Sequence, residues 1–138
     1  MRSPRPASMT GFFIAILALM TLTCPLFGVS LAGDQGHLVF TKASWYSNVE
    51  TKGKDCADGR FHDLSKEYVA ASWYYPLGTR IRVTELIDRK VVEVTIVDRG
   101  PAKRLCALGR CLDLSQKSFS EIAPLARGVV EVSIEVVE

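Results

Sequence analysis

Between residues 98 and 115 the chain reads Asp98-Arg99-Gly100-Pro101, then a loop carrying Lys103 and Arg104, then Gly109-Arg110-Cys111-Leu112-Asp113-Leu114-Ser115. Two acids stand here with only Arg and Lys charges between them. Carboxyl groups so placed suit work on a glycosidic bond, where one group protonates the leaving oxygen and another activates water or attacks the sugar. Asp98 is the expected catalytic residue. An Asp before Arg-Gly-Pro also has a plainer use, accepting a turn N–H and holding the turn. Asp113 is expected to lead a helix N-terminus, with a supporting hydrogen bond in a substrate cleft as its functional alternative.

Other side chains are candidates to grip a sugar strand. Trp45, Tyr46, Trp73 and Tyr74 could stack on sugar rings, although alternation along a strand sends at least one of each Trp-Tyr pair into a core. Arg60 either holds a carboxylate of the bound strand, pairs with Asp98, or is simply solvated. Arg99 begins a run with Lys103, Arg104 and Arg110 that contains no acid and suits an anionic partner.

The elements that must position these residues are mostly strands. Residues 42–46 and 68–73 read as extended pieces, the second stopped by Pro76-Leu77-Gly78-Thr79. Residues 80–86 alternate, with Ile81 and Val83 on one face and Arg80, Arg82 and Thr84 on the other. Residues 91–97 put Val92, Val94 and Ile96 on one face, and Asp98 continues that phase at the strand's end, so it is expected at the mouth of the core, partly desolvated. Residues 48–59 read as a long polar loop. Ser115 is the expected N-cap of a single short helix with Phe119 and Ile122 inside and Pro124 after it. Residues 129–137 form a last alternating strand. About six strands and one short helix in this length imply a small closed barrel. The tetrapeptide Ala-Ser-Trp-Tyr occurs at 43–46 and 71–74, but the flanking residues do not repeat.

Of the 138 residues, 1–32 read as an export signal: Arg2 and Arg5 precede an apolar run at 11–22, and Ser30-Leu31-Ala32 fits a small-x-small cleavage site. Residues 33–40 read as a flexible lead-in and 41–138 as the domain. An uncleaved anchor is the rival reading, and membrane attachment by lipidation at Cys24 is a third, with a poor match around the cysteine. Removing Arg2 and Arg5 leaves 15 basic against 15 acidic residues, so the net charge of +2 belongs to the signal and excludes a general polyanion binder. No nucleic-acid partner is expected. Export through the Sec pathway to a bacterial periplasm or envelope follows, with a monomer as the expected state. Cys56, Cys106 and Cys111 remain after cleavage. Three pairings are open in an oxidising compartment, and Cys106–Cys111 is preferred because it would clip a tight loop. Zinc is the rival, disfavoured by the absence of Cys-x-x-Cys and by only two His, at 37 and 62. No metal or cofactor is expected.

In order along the chain stand Ala43-Ser44-Trp45-Tyr46, Asp58-Gly59-Arg60-Phe61, Ala70-Ala71-Ser72, Pro76-Leu77-Gly78-Thr79-Arg80-Ile81-Arg82-Val83-Thr84, Asp98-Arg99-Gly100-Pro101, Gly109-Arg110 and Asp113-Leu114-Ser115. This succession resembles the rare lipoprotein A family over nearly all of 41–138. The resemblance implies an all-β fold, a six-stranded double-psi β-barrel shared with expansins. It also implies a lytic transglycosylase acting on peptidoglycan glycan strands, whose nucleophile is the muramic acid's own 6-hydroxyl, so that a single residue, Asp98, can serve as acid and then base. The family pairs that Asp with a Glu after the Gly of its first loop and carries a His after the Ala-Ala pair. Here those positions hold Arg60 and Ser72, the latter followed by Trp73. Tyr46, Arg60, Ser72, Trp73, Arg99 and Asp113 are the expected substrate-binding residues, and a non-catalytic, expansin-like wall-binding module is the alternative.

Overall fold

The computed structural model describes residues 38–137. The export signal, Cys24 and residues 33–37 of the lead-in lie outside the described residues. Six strands bring their apolar side chains together, by clear alternation in β3, β4 and β6: β1 (Val39–Tyr46), β2 (Val69–Ala71), β3 (Arg80–Glu85), β4 (Val91–Asp98), β5 (Arg110–Ser115) and β6 (Val129–Val137). They close in the order β1-β5-β2-β4-β3-β6. The β1–β5 and β2–β4 pairs are parallel and the other four pairings are antiparallel.

The barrel interior holds Ile81 and Val83 of β3, Val92, Val94 and Ile96 of β4, Leu112 and Leu114 of β5, and Val130, Val132 and Ile134 of β6. Burying each such side chain contributes about 1.5–3 kcal/mol relative to leaving it in water. Phe119 and Ile122 close the interior from α3 (Gln116–Ile122), whose N-cap Ser115 accepts the Ser118 amide at 3.1 Å, as its sequence predicts.

Three features depart from the sequence-based expectation. Residues 110–115 are a strand, not the approach to a helix, because Leu112 and Leu114 alternate into the core while Asp113 between them faces out. Asp113 is therefore a mid-strand residue. Two further short helices, α1 (Asn48–Thr51) and α2 (Lys103–Ala107), and a 3-10 turn at Leu125–Arg127 join the one expected helix. The first lies in the stretch read as loop, where the Glu50 carboxylate accepts the Ser47 amide at 3.0 Å. Finally, the strand expected over 68–73 is only three residues long, and β1 begins inside the lead-in, at Val39.

A second, smaller apolar cluster lies outside the barrel wall, made by Tyr46, Cys56, Leu64, Val69, Ala71 and Val97. The 48–67 segment covers it. Asn48 fastens this cover, its Nδ2 donating to the His62 carbonyl at 2.9 Å and its Oδ1 accepting the Leu64 amide at 2.8 Å.

Candidate functional site

Alternation along β4 alone would send Asp98 inward after Val94 and Ile96. It does not arrive there. Ala70 pairs with Ile96, but the next residue, Ala71, pairs with Asp98, so Val97 is an extra residue in β4 and the strand bulges. Val97 packs in the outer cluster, and Asp98 turns to the same side, where its Oδ1 accepts the Ala57 amide at 3.0 Å and the Arg99 amide at 2.8 Å. Asp98 is partly exposed on the outer wall rather than at the mouth of the core.

The sheet order then does what sequence distance hides. Ala71 is the register partner of Asp98 on one side and of Asp113 on the other, and Asp113 is in turn the partner of Ser44. Four strands thus line up Ser44, Asp113, Ala71 and Asp98 in one row on one face. The two acids stand two strand spacings apart, roughly 10 Å between Cα atoms. Asp113 Oδ1 accepts the Ser44 hydroxyl, with the Arg110 guanidinium 3.8 Å away. Burial pushes the Asp113 carboxyl above its ordinary value, and Ser44 and Arg110 oppose this without reversing it. Asp113 is thereby the acid that holds its proton more readily than a free carboxyl.

Gly100 folds back over the row. A Cβ there would lie 3.4 Å from the Ala71 methyl and 3.6 Å from Asp113 Oδ2, ordinary contact distances, so the Gly100 backbone packs closely on the row. Beneath the row sits Tyr46, buried, its hydroxyl without a hydrogen-bond partner. Burial first, and then the charges around Cys56, Asp98, Asp113 and Asp58, hold its phenol far above the ordinary range. Cys56 is alongside, its thiol pushed up to about 12 by burial and then by the Asp98 carboxylate.

The remaining expected substrate-binding residues distribute unevenly. Trp73 is exposed, two residues past Ala71; its Nε1 donates to the Pro101 carbonyl at 2.7 Å, and Lys103 Nζ lies 4.9 Å from its ring centroid. Tyr46 is floor, not a stacking platform. Trp45 packs on the barrel core and donates to the Leu125 carbonyl at 3.0 Å. Ser72 is buried, and its Oγ accepts the Tyr74 amide. Arg99 faces away from the row and places Nη1 on the Ser72 and Tyr75 carbonyls, at 2.8 and 2.7 Å. These two hold the 72–75 turn against the Asp98 loop, and Ser72 also lines an apolar cavity.

Arg60 is exposed, and among the described residues it forms no ion pair with Asp98. It lines a different groove of 540 Å³ with Asp58, His62, Glu67, Leu77 and Thr95. A further cavity of 420 Å³ lies by Phe40, Tyr74, Tyr75, Cys111 and Ile134 and is almost wholly apolar. Cys106 and Cys111 are free thiols, not the expected disulfide: Cys111 Sγ donates to the Cys106 carbonyl at 3.2 Å. The Tyr74 phenol is pushed up to about 12, first by Cys106 and then by Cys111. Among the described residues, no three His, Cys, Asp or Glu side chains are gathered to hold a metal ion.

Sequence reasoning missed His62, which sits between two carboxylates in the 540 Å³ groove. The signal available was its spacing, four residues after Asp58 and five before Glu67.

The family model described as "Lytic transglycolase" matches residues 40–134. The chain belongs to that double-psi β-barrel family. It is 38% identical over 95 residues to a probable endolytic peptidoglycan transglycosylase RlpA of Aquifex aeolicus, covering 68% of this chain and 39% of that protein. The chain spans well under half the length of the curated RlpA proteins it matches. Among solved structures, a Streptomyces papain inhibitor superposes with a TM-score of 0.59 at 25% identity, covering 75% of this chain and 96% of that one. An expansin of Clavibacter michiganensis superposes with a TM-score of 0.55 at 22% identity, covering 73% of this chain and 50% of that one, which concerns the fold alone.

Proposed function

We propose that this protein is an endolytic lytic transglycosylase of bacterial peptidoglycan, cutting the MurNAc–GlcNAc bond to leave 1,6-anhydro ends. The observation that carries the reading is the row of Asp113, Ala71 and Asp98 on one face, with the two carboxyls in unlike surroundings. The curated names of the RlpA relatives support the same reaction.

The unlike surroundings divide the work that a single Asp was expected to do. Asp113, whose proton burial favours, donates it to the glycosidic oxygen as the C1–O bond breaks. Asp98, oriented by two backbone amides on Oδ1, takes the proton of the muramic acid 6-hydroxyl as that oxygen closes on C1. No water is consumed. Trp73 and Lys103 stand beside the turn that follows Asp98, where they could flank the strand, and the peptide carboxylates of the wall suit Lys103 and Arg104. Such a substrate lies outside the cytoplasm, which agrees with export through the signal at 1–32 and with action in the envelope.

A second reading keeps the grip and drops the chemistry: an expansin-like wall-binding module. It is favoured by Arg60, which stands where the family has its Glu and lines the groove beside Asp58 instead of the acid row. Incubation with purified sacculi separates the two. The lytic reading expects soluble anhydro-muropeptides, and Asp98→Asn should lower their release by about 10²–10⁴-fold with the fold intact. Binding to sacculi with no anhydro product from the wild type would establish the module instead.

A further inference from the structure

The cover segment has its own ionic hub, separate from the acid row. His62 Nε2 lies 2.8 Å from Asp58 Oδ2 and Nδ1 lies 2.7 Å from Glu67 Oε2. The ring backbone is anchored by Asn48, and Glu67 is anchored to the barrel, its carbonyl accepting the Ser115 hydroxyl at 2.7 Å. Asp58 is the far end of this chain of contacts. Its amide donates to the Val97 carbonyl at 3.1 Å, and the preceding amide, Ala57, is the one that holds Asp98 Oδ1. The path from Ser115 through Glu67, His62 and Asp58 therefore ends on the carboxylate of the acid row.

An imidazole with both nitrogens against carboxylate oxygens satisfies both only as an imidazolium. The neutral ring has one N–H, and its other nitrogen would set a lone pair against a carboxylate at hydrogen-bond distance. We propose that His62 is a positioning residue: while protonated it clamps the 56–60 loop so that the Ala57 amide holds Asp98, and losing that proton releases the clamp.

Other groups near the ring are few. Arg60 stands beyond Asp58, and the Asp63–Lys66 pair lies behind Glu67. From the elements packed across the groove come Val69 of β2, Leu77 and Gly78 of the following turn, and Thr95, Ile96 and Val97 of β4, none of them charged. Burial works against the charged ring, but the hydrogen bonds and charges of Glu67 and Asp58 outweigh it, so His62 titrates above its ordinary 6.5. For Asp58, burial is likewise outweighed, chiefly by the bond from His62, and for Glu67 that bond leads; both titrate below their ordinary values. The sign follows. The His62 contribution is full below pH 6.5 and is lost as pH rises through the higher folded value, whereas the carboxylate contributions are lost only on strong acidification.

The test is amide exchange of the full chain followed by NMR across the His62 titration, normalised to the intrinsic rate and to the Ile96 amide of the barrel wall. Protection of Ala57 and Asp58 should fall roughly tenfold as His62 loses its proton, the scale of one charge-assisted hydrogen bond. His62→Gln should show low protection with no pH step. Asp58→Asn should do the same and move the His62 titration down. Unchanged Ala57 protection through the wild-type titration overturns the clamp, and that measurement needs no variant to fold. An activity arm, in which anhydro product declines above the same pH, rests on the lytic reading above. If the wild type releases no product at any pH, that reading fails while exchange still decides the clamp.

Discussion

The two faces of β5 are built on opposite principles. Leu112 and Leu114 point into an apolar barrel interior, and Asp113 between them points onto a wall where it accepts the Ser44 hydroxyl. The same contrast holds for β4, with Ile96 inside and Asp98 outside, one bulged residue apart. The interior gains its stability from many interchangeable contacts. The outer face gains its geometry from a handful of hydrogen bonds, so single substitutions there should alter chemistry while leaving the barrel standing.

The sharpest way to break this contrast is to substitute neighbours. Asp113→Asn should reduce anhydro-product release by about 10²–10⁴-fold, read on purified sacculi. Its thermal midpoint at neutral pH should match or exceed the wild type. The sign comes from the raised folded pKa: as pH climbs through the ordinary 3.8 the unfolded chain ionises before the folded one, so a carboxyl at 113 costs stability once both have lost the proton. Leu114→Ala, one residue on, should do the reverse. It should cost about 2–5 kcal/mol of unfolding free energy in denaturant titration and leave the activity of the molecules that remain folded nearly unchanged.

A smaller effect sharpens the comparison within the outer face. The Ser44 hydroxyl holds the Asp113 carboxyl down, so Ser44→Ala should shift the pH profile of activity upward at the limb set by Asp113. Loss of that one bond should cost about 0.5–1.5 kcal/mol, seen as a modest fall in the thermal midpoint. An unmoved profile would remove Asp113 from the reaction.

The difference between the faces also explains what could be read in advance. Interior residues announce themselves by period: Ile81 and Val83, or Val130, Val132 and Ile134, follow from alternation because every second side chain of a strand shares a face. The helix start at Ser115 was legible for a similar local reason, its hydroxyl reaching an amide three residues on. β5 was harder. Its two-residue apolar rhythm is interrupted by an Asp, a poor strand former, and the residue is tolerated only because Ser44 on the neighbouring strand receives it. The Arg99 side chain, expected in the groove, instead meets two carbonyls of the 72–75 turn, a contact between segments 24 and 27 residues apart.

By itself the sequence determined the family, the barrel and its interior, because ordered short motifs and strand alternation are local properties of the chain. It also singled out Asp98 and Asp113 as the acids to watch. Only the tertiary structure decided where they stand. The bulge at Val97 turned Asp98 onto the outer wall, and the pairing of β2 between β4 and β5 set the two acids on either side of Ala71. His62 joined this set only when the cover folded, since its meaning lies in the two carboxylates on its ring nitrogens and in the Ala57 amide at the far end of the loop. Register is non-local, and the spacing of Asp58, His62 and Glu67 along the chain leaves open which groups their side chains meet.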